Sequence, residues 1–207
     1  MKTKKIISAL IAGILATTAA VSASAATLSD VTPNNSTEVT ANIVDPGSVN
    51  YTITIPDKAD FGTLTQPESE VDSYVFTTGL KVEATQLNIK SNQAVTVYAK
   101  DSAATSEDNN FYITQQGTDT PQKFEYSFYS TAVTEENLAD SARYLVDTSA
   151  EPNSFGYHIC TFGKAAEGTA EDMTLVFNQK ALYGKNLFDI AGDYSGTISF
   201  FSALIER

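Results

Sequence analysis

The chain has 207 residues, a net charge of −12, one cysteine, one histidine and no tryptophan. That length is enough to bury a substantial core, and the negative charge argues against nucleic acid and anionic membrane surface as partners. A single thiol excludes an internal disulfide framework, so packing must hold the fold together.

Lys2, Lys4 and Lys5 open the chain, Ile6 to Val21 form an apolar run, and Ala23-Ser24-Ala25 places small residues where a signal peptidase reads. The layout predicts a secretory signal peptide over residues 1–25, cleaved before Ala26. The run falls short of the ~20 residues needed to span a bilayer, so no membrane insertion is expected after cleavage. The expected location is secreted and extracellular, with or without cell-surface association. Residues 26–37 are polar and read as a flexible N-terminal segment.

From residue 38 the pattern is period two almost throughout. Val39, Ala41 and Ile43 alternate before the turn Asp45-Pro46-Gly47, and Tyr51, Ile53 and Ile55 alternate before Pro56. Leu80, Val82 and Ala84 continue it, followed by Leu87 and Ile89, then Val95, Val97 and Ala99. Phe111 and Ile113 come next, then Phe124, Tyr126 and Phe128. Tyr157, Ile159 and Thr161 precede Met173, Leu175 and Phe177. The last run sets Tyr194, Gly196, Ile198, Phe200, Ser202 and Leu204 on one face, and predicts a final strand central to the fold with Tyr194, Ile198 and Phe200 buried. Short helical turns are expected at Thr134–Ala139 and near Lys180 to Leu187, and loop insertions at Asp101 to Asn110 and Thr148 to Ser154. These features predict an all-β protein: an antiparallel β-sandwich of immunoglobulin-like or Greek-key type, with roughly nine to eleven strands in a single domain over residues 38–207.

The catalytic inventory is thin. One His and one Cys cannot build a multi-histidine or Cys-rich zinc site, and no Gly-rich phosphate loop, Gly-x-Ser-x-Gly elbow or His-Glu-x-x-His occurs. Paired carboxylates could hydrolyse glycosides, yet acids at turns and wet strand faces are what any acidic exported domain shows. The expectation is no enzyme activity, no cofactor and no metal. Ser106-Glu107-Asp108-Asn109-Asn110 offers oxygen donors for calcium but lacks the spacing of an EF-hand loop, and reads first as a solvated loop. Cys160 reads as a small buried hydrophobe, and period two places His158 on the same face of the same strand. Tyr98, Tyr129 and Tyr183 fall outside the core-like alternation and are the candidate contacts for a glycan or protein partner.

Two segments carry a family likeness. Tyr51 to Leu64 reads as a strand, Ile-Pro, then Asp-Phe-Gly, and Ala191-Gly192-Asp193-Tyr194-Ser195-Gly196-Thr197-Ile198-Ser199-Phe200 reads as a terminal strand. Together they resemble secreted surface β-sandwich proteins of Gram-positive bacteria, nearest to WxL-type surface domains. The resemblance implies a sandwich fold and envelope association. That family attaches to peptidoglycan through Trp-x-Leu motifs, which are absent here; Phe200 and Phe201 stand where the family shows Trp. The functional expectation is a non-enzymatic protein of adhesion, envelope association or assembly, the alternative a secreted carbohydrate-binding module. The partner would be a cell-wall polymer, a host or plant glycan, or another surface protein. Should it assemble, exposed strand edges are the means, and the segment Thr27 to Val44 is the natural donor.

Overall fold

Among the described residues the alternation becomes ten strands in two antiparallel sheets, packed as a sandwich. The structure is a computed structural model, described here for residues 49–77, 79–149 and 152–207. The strands are β1 (Asn50–Thr54), β2 (Tyr74–Phe76), β3 (Leu80–Asn88), β4 (Gln93–Asp101) and β5 (Phe111–Gln115). They continue with β6 (Lys123–Tyr129), β7 (Tyr157–Gly163), β8 (Thr169–Asn178), β9 (Tyr194–Ser195) and β10 (Ile198–Glu206). One sheet runs β1-β3-β8-β6-β5-β9, with β2 also paired to β8; the other is β10-β4-β7. The expected signal peptide, the segment 26–37, the run Val39 to Ile43 and the boundary at residue 38 lie outside the described residues.

Each strand buries the face that its sequence marks. Leu80, Val82, Ala84 and Leu87 of β3 are buried while Lys81, Thr85 and Gln86 are exposed. Between the sheets the core is aromatic: Phe111 meets Phe128 at 5.5 Å, and Phe124 meets Tyr194 at the same distance. Phe61 enters from the loop after β1 and contacts Tyr126 at 5.6 Å and Phe177 at 5.8 Å. Rings tilted or edge-on at these separations gain quadrupole attraction beyond their burial. Glu135–Asn137 forms a 3-10 turn in the first predicted helical segment, where Asn137 Oδ1 accepts from the Thr134 N–H at 2.8 Å. The second segment gives a 3-10 turn at Gln179–Leu182 and the four-residue helix α1 (Leu187–Ile190). Among the described residues, no helix is long and apolar enough to cross a membrane.

The last run departs from expectation. It does not form one central strand but breaks at Gly196-Thr197, leaving β9 in the larger sheet and β10 in the smaller. The break is enforced by proximity: a Cβ on Gly196 would lie 2.1 Å from the Tyr112 carbonyl oxygen, so only glycine passes there. Asp101, buried at the end of β4, holds the same place from the other side. Its Oδ2 accepts from the Tyr112 N–H at 2.9 Å and its Oδ1 from the Ala103 N–H at 2.8 Å, while the Ser102 N–H donates to the Thr197 carbonyl. Among the described residues β10 pairs only with β4, so it is an edge strand. Tyr194, Ile198 and Phe200 are accordingly half-buried rather than buried. Tyr194 instead turns a corner, its hydroxyl donating to the Ile190 carbonyl at 2.8 Å.

Gly196→Ala is expected to lower stability by ~1–3 kcal/mol, since the Tyr112 backbone must give way, whereas the exposed neighbour Ser195→Ala stays within ~0.5 kcal/mol. Urea unfolding midpoints of the two variants check this.

Candidate functional site

Two surfaces of the smaller sheet stand out, its outward face and its free edge. On the outward face the register aligns Phe201 of β10 with Tyr98 of β4, and Tyr98 with His158 of β7. Phe155, in the turn before β7, completes the cluster. Its ring lies 5.9 Å from Tyr98 and 6.4 Å from Phe201, and His158 lies 6.1 Å from Tyr98. Phe155 is 44% exposed and Phe201 37%, with Tyr98 half-buried between them. The turn can lie this close because of Gly156, which sits at φ +118°, where a Cβ would approach the Ala99 carbonyl oxygen to 2.5 Å. Lys100, one step along β4, places its ammonium 5.2 Å from the centre of the Phe201 ring, within cation–π range.

The next row of the same face is hydroxylic. Thr161 Oγ1 lies 2.9 Å from His158 Nε2 and 3.3 Å from Thr96 Oγ1. His158 and Cys160 do not share a face, contrary to strict period two. A bulge sets His158 opposite Tyr98 and Cys160 opposite Val97, leaving Ile159 as the extra residue, and this rephases β7. His158 therefore stays outside while Cys160 turns into the core. Burial, with a smaller contribution from Glu171, pushes the Cys160 thiol up to about 12.

The free edge of β10 borders a groove of about 820 Å³ that reaches the core. Its floor is made of Ile113, Phe124, Tyr126 and Leu175 of the larger sheet; Phe61 and its loop form one wall, Ile198 and Phe200 of β10 the other. The Tyr51 hydroxyl lies 3.4 Å from the Ser202 carbonyl oxygen and 3.2 Å from Ser202 Oγ, so β1 enters the fold close to the middle of β10. Leu204 and Ile205 further along β10 are both 37% exposed.

The three candidate tyrosines do not converge. Tyr98 belongs to the aromatic face, and Tyr183 is exposed on the loop after Gln179–Leu182. Tyr129 is only 8% exposed and packs with Val133 and Val176 in a small second core, so it is not available to a partner. It breaks the alternation because the end of β6 buries both of its faces: Phe128 in the main core and Tyr129 under the segment that follows. The sequence reading missed Phe155, Phe201 and His158 as surface groups. The adjacent pair Phe200-Phe201 carried the signal for one of them, since in a strand without a bulge two consecutive residues point to opposite faces.

In the acidic loop, Asp108 Oδ1 accepts from the Asn110 N–H at 3.3 Å and Oδ2 lies 3.8 Å from Lys123 Nζ. Among the described residues no three His, Cys, Asp or Glu side chains gather as a metal site would require.

No protein-family model and no curated protein matches the sequence. Among solved structures, the chain is similar to part of the chaperone–tip adhesin complex of CFA/I fimbriae biogenesis, at 10% identity and a TM-score of 0.45. The match covers 76% of this chain and 42% of that one, so this protein spans less than half the length of that structure.

A raised thiol pKa has a signed consequence. The folded state keeps its proton where the unfolded thiol, near 9, has lost it, so stability is complete below pH 9 and falls as pH rises toward 12. Between pH 9 and 10, ahead of the ordinary range of the tyrosine phenols, Cys160→Ala is expected to flatten that fall. Urea midpoints measured across this interval test it.

Proposed function

We propose that this is a non-enzymatic exported protein of the cell surface or its surroundings, and that it takes part in adhesion or assembly by accepting an extended strand at the free edge of β10. The carrying observation is the stretch of that edge at Ile198–Phe200, ahead of Ser202 where the Tyr51 hydroxyl docks, beside a groove open to the core. An unpaired edge presents a row of N–H and C=O groups, and an incoming strand recovers those hydrogen bonds while burying every second side chain. Here the alternate side chains of such a strand would fall into the groove beside the half-buried Phe61, Ile198 and Phe200. Charge supports the reading, since β10 carries no charged side chain between Ile198 and Ile205 to discourage pairing.

The run Val39, Ala41, Ile43 has the matching alternation and is the donor that this reading names, delivered by another copy of the chain. Export and envelope association rest on the sequence of residues 1–25 and on the resemblance to Gram-positive surface sandwiches.

A synthetic peptide of residues 36–45 added to protein lacking residues 1–45 tests the reading by hydrogen exchange. The expected result is slowed exchange of β10 amides with no change in β3, together with self-association of the longer chain that the shortened chain lacks. Unchanged β10 exchange at saturating peptide, or a longer chain that stays monomeric at all concentrations, overturns it.

A further inference from the structure

We infer that the outward face of the smaller sheet is a binding site for a carboxylated saccharide, an oligomer of uronic acid type. This site is separate from the groove and does not rest on strand addition. The face joins three features that such a ligand requires. The first is apolar: Phe155, Tyr98 and Phe201 form a continuous patch of half-exposed rings, suited to the C–H faces of pyranose rings. The second is polar: the exposed His158 and the half-buried Thr161 lie beside the rings, 2.9 Å apart and backed by the buried Thr96 hydroxyl, and both can exchange hydrogen bonds with a sugar hydroxyl.

The third feature is charge, and it selects among sugars. The chain carries a net charge of −12, yet no outward position of β4, β7 or β10 is a carboxylate. The outward residues are Ala94, Thr96, Tyr98 and Lys100 on β4, His158, Thr161 and Gly163 on β7, and Ser199, Phe201, Ala203 and Ile205 on β10. Lys100 stands at one end of the face. Arg207 lies at the other, its guanidinium against Gly163, 3.0 Å from where a Cβ would be. Neither makes an ion pair among the described residues. Lys100 and Arg207 are separated by roughly 25 Å at the usual rise of a strand, so an oligomer rather than a single sugar bridges them. Repulsion from distant acids fades over ~8–10 Å at physiological ionic strength; the two near ones, Asp101 beside Lys100 and Glu206 beside Arg207, sit at positions of the opposite side of the sheet, Asp101 with its carboxylate on backbone N–H groups.

The test compares an oligogalacturonate with its methyl ester, which keeps the rings and removes the charge, on the full chain. His158 is the only histidine, so its ring resonances report on this face alone. Expected are shifts of the His158 signals on titration with the acid form and at least tenfold weaker binding of the ester. Lys100→Gln should erase that preference, and Tyr98→Ala should weaken both ligands at least tenfold, with the urea midpoint showing that each variant folds. Tyr98→Phe, which keeps the ring, should bind as the parent does. Equal binding of acid and ester overturns the charge assignment. His158 signals that stay fixed at millimolar ligand overturn the site itself. A block of strand addition at β10 leaves either result unchanged, so the two readings fail separately.

Discussion

The corner at Tyr112 is the constraint on which the arrangement of the two sheets depends. Its peptide is gripped from both sides, by the Asp101 carboxylate on the N–H and by the close passage of Gly196 beneath the carbonyl. Asp101 ends a strand of the smaller sheet and Tyr112 belongs to the larger, so this buried charge-assisted hydrogen bond ties one layer to the other. Burying a carboxylate is costly unless its oxygens are satisfied, and here both oxygens accept backbone N–H groups. The position of β10 follows from this corner. The chain leaves β9, passes Gly196 and can continue only along β4, where it becomes the outer strand of the smaller sheet.

From that placement come both surfaces of interest. Among the described residues β10 has a partner on one side only, which leaves its other side as an edge beside the groove. The smaller sheet has three strands among the described residues, and the row that holds Phe201, Tyr98 and His158 brings three ring systems onto them side by side. The groove is lined largely by residues of the core proper, whereas Phe155, Phe201 and His158 on the outward face are exposed. A substitution in the groove therefore disturbs packing, while one at Phe155, Phe201 or His158 leaves it little changed.

Much of the architecture was legible in the sequence because burial of one face imposes period two, and that period survives translation into structure. Val82 and Ala84, Val95 and Val97, and Leu175 and Phe177 all sit where alternation puts them. Position within a sheet was not legible: a strand at an edge and one at the centre show the same alternation, which is why the last run read as central. The bulge at Ile159 was equally silent, since an inserted residue changes phase without changing composition. The aromatic face was half legible. Tyr98 broke the pattern and drew notice, but Phe155 lies in a turn, and only the three-dimensional return of that turn over β4 makes it a neighbour.

The pairing of β10 with β4 joins segments about a hundred residues apart in sequence, and it fills the edge that β4 would otherwise leave bare. Long-range antiparallel contacts of this kind close slowly, because loop entropy must be overcome before any contact is gained. Until β10 arrives, the inner apolar face of β4 and the floor of the groove both face solvent. This topology gives the chain the long-range contacts that slow folding, and the interval before closure is when its edges are most open to a second chain.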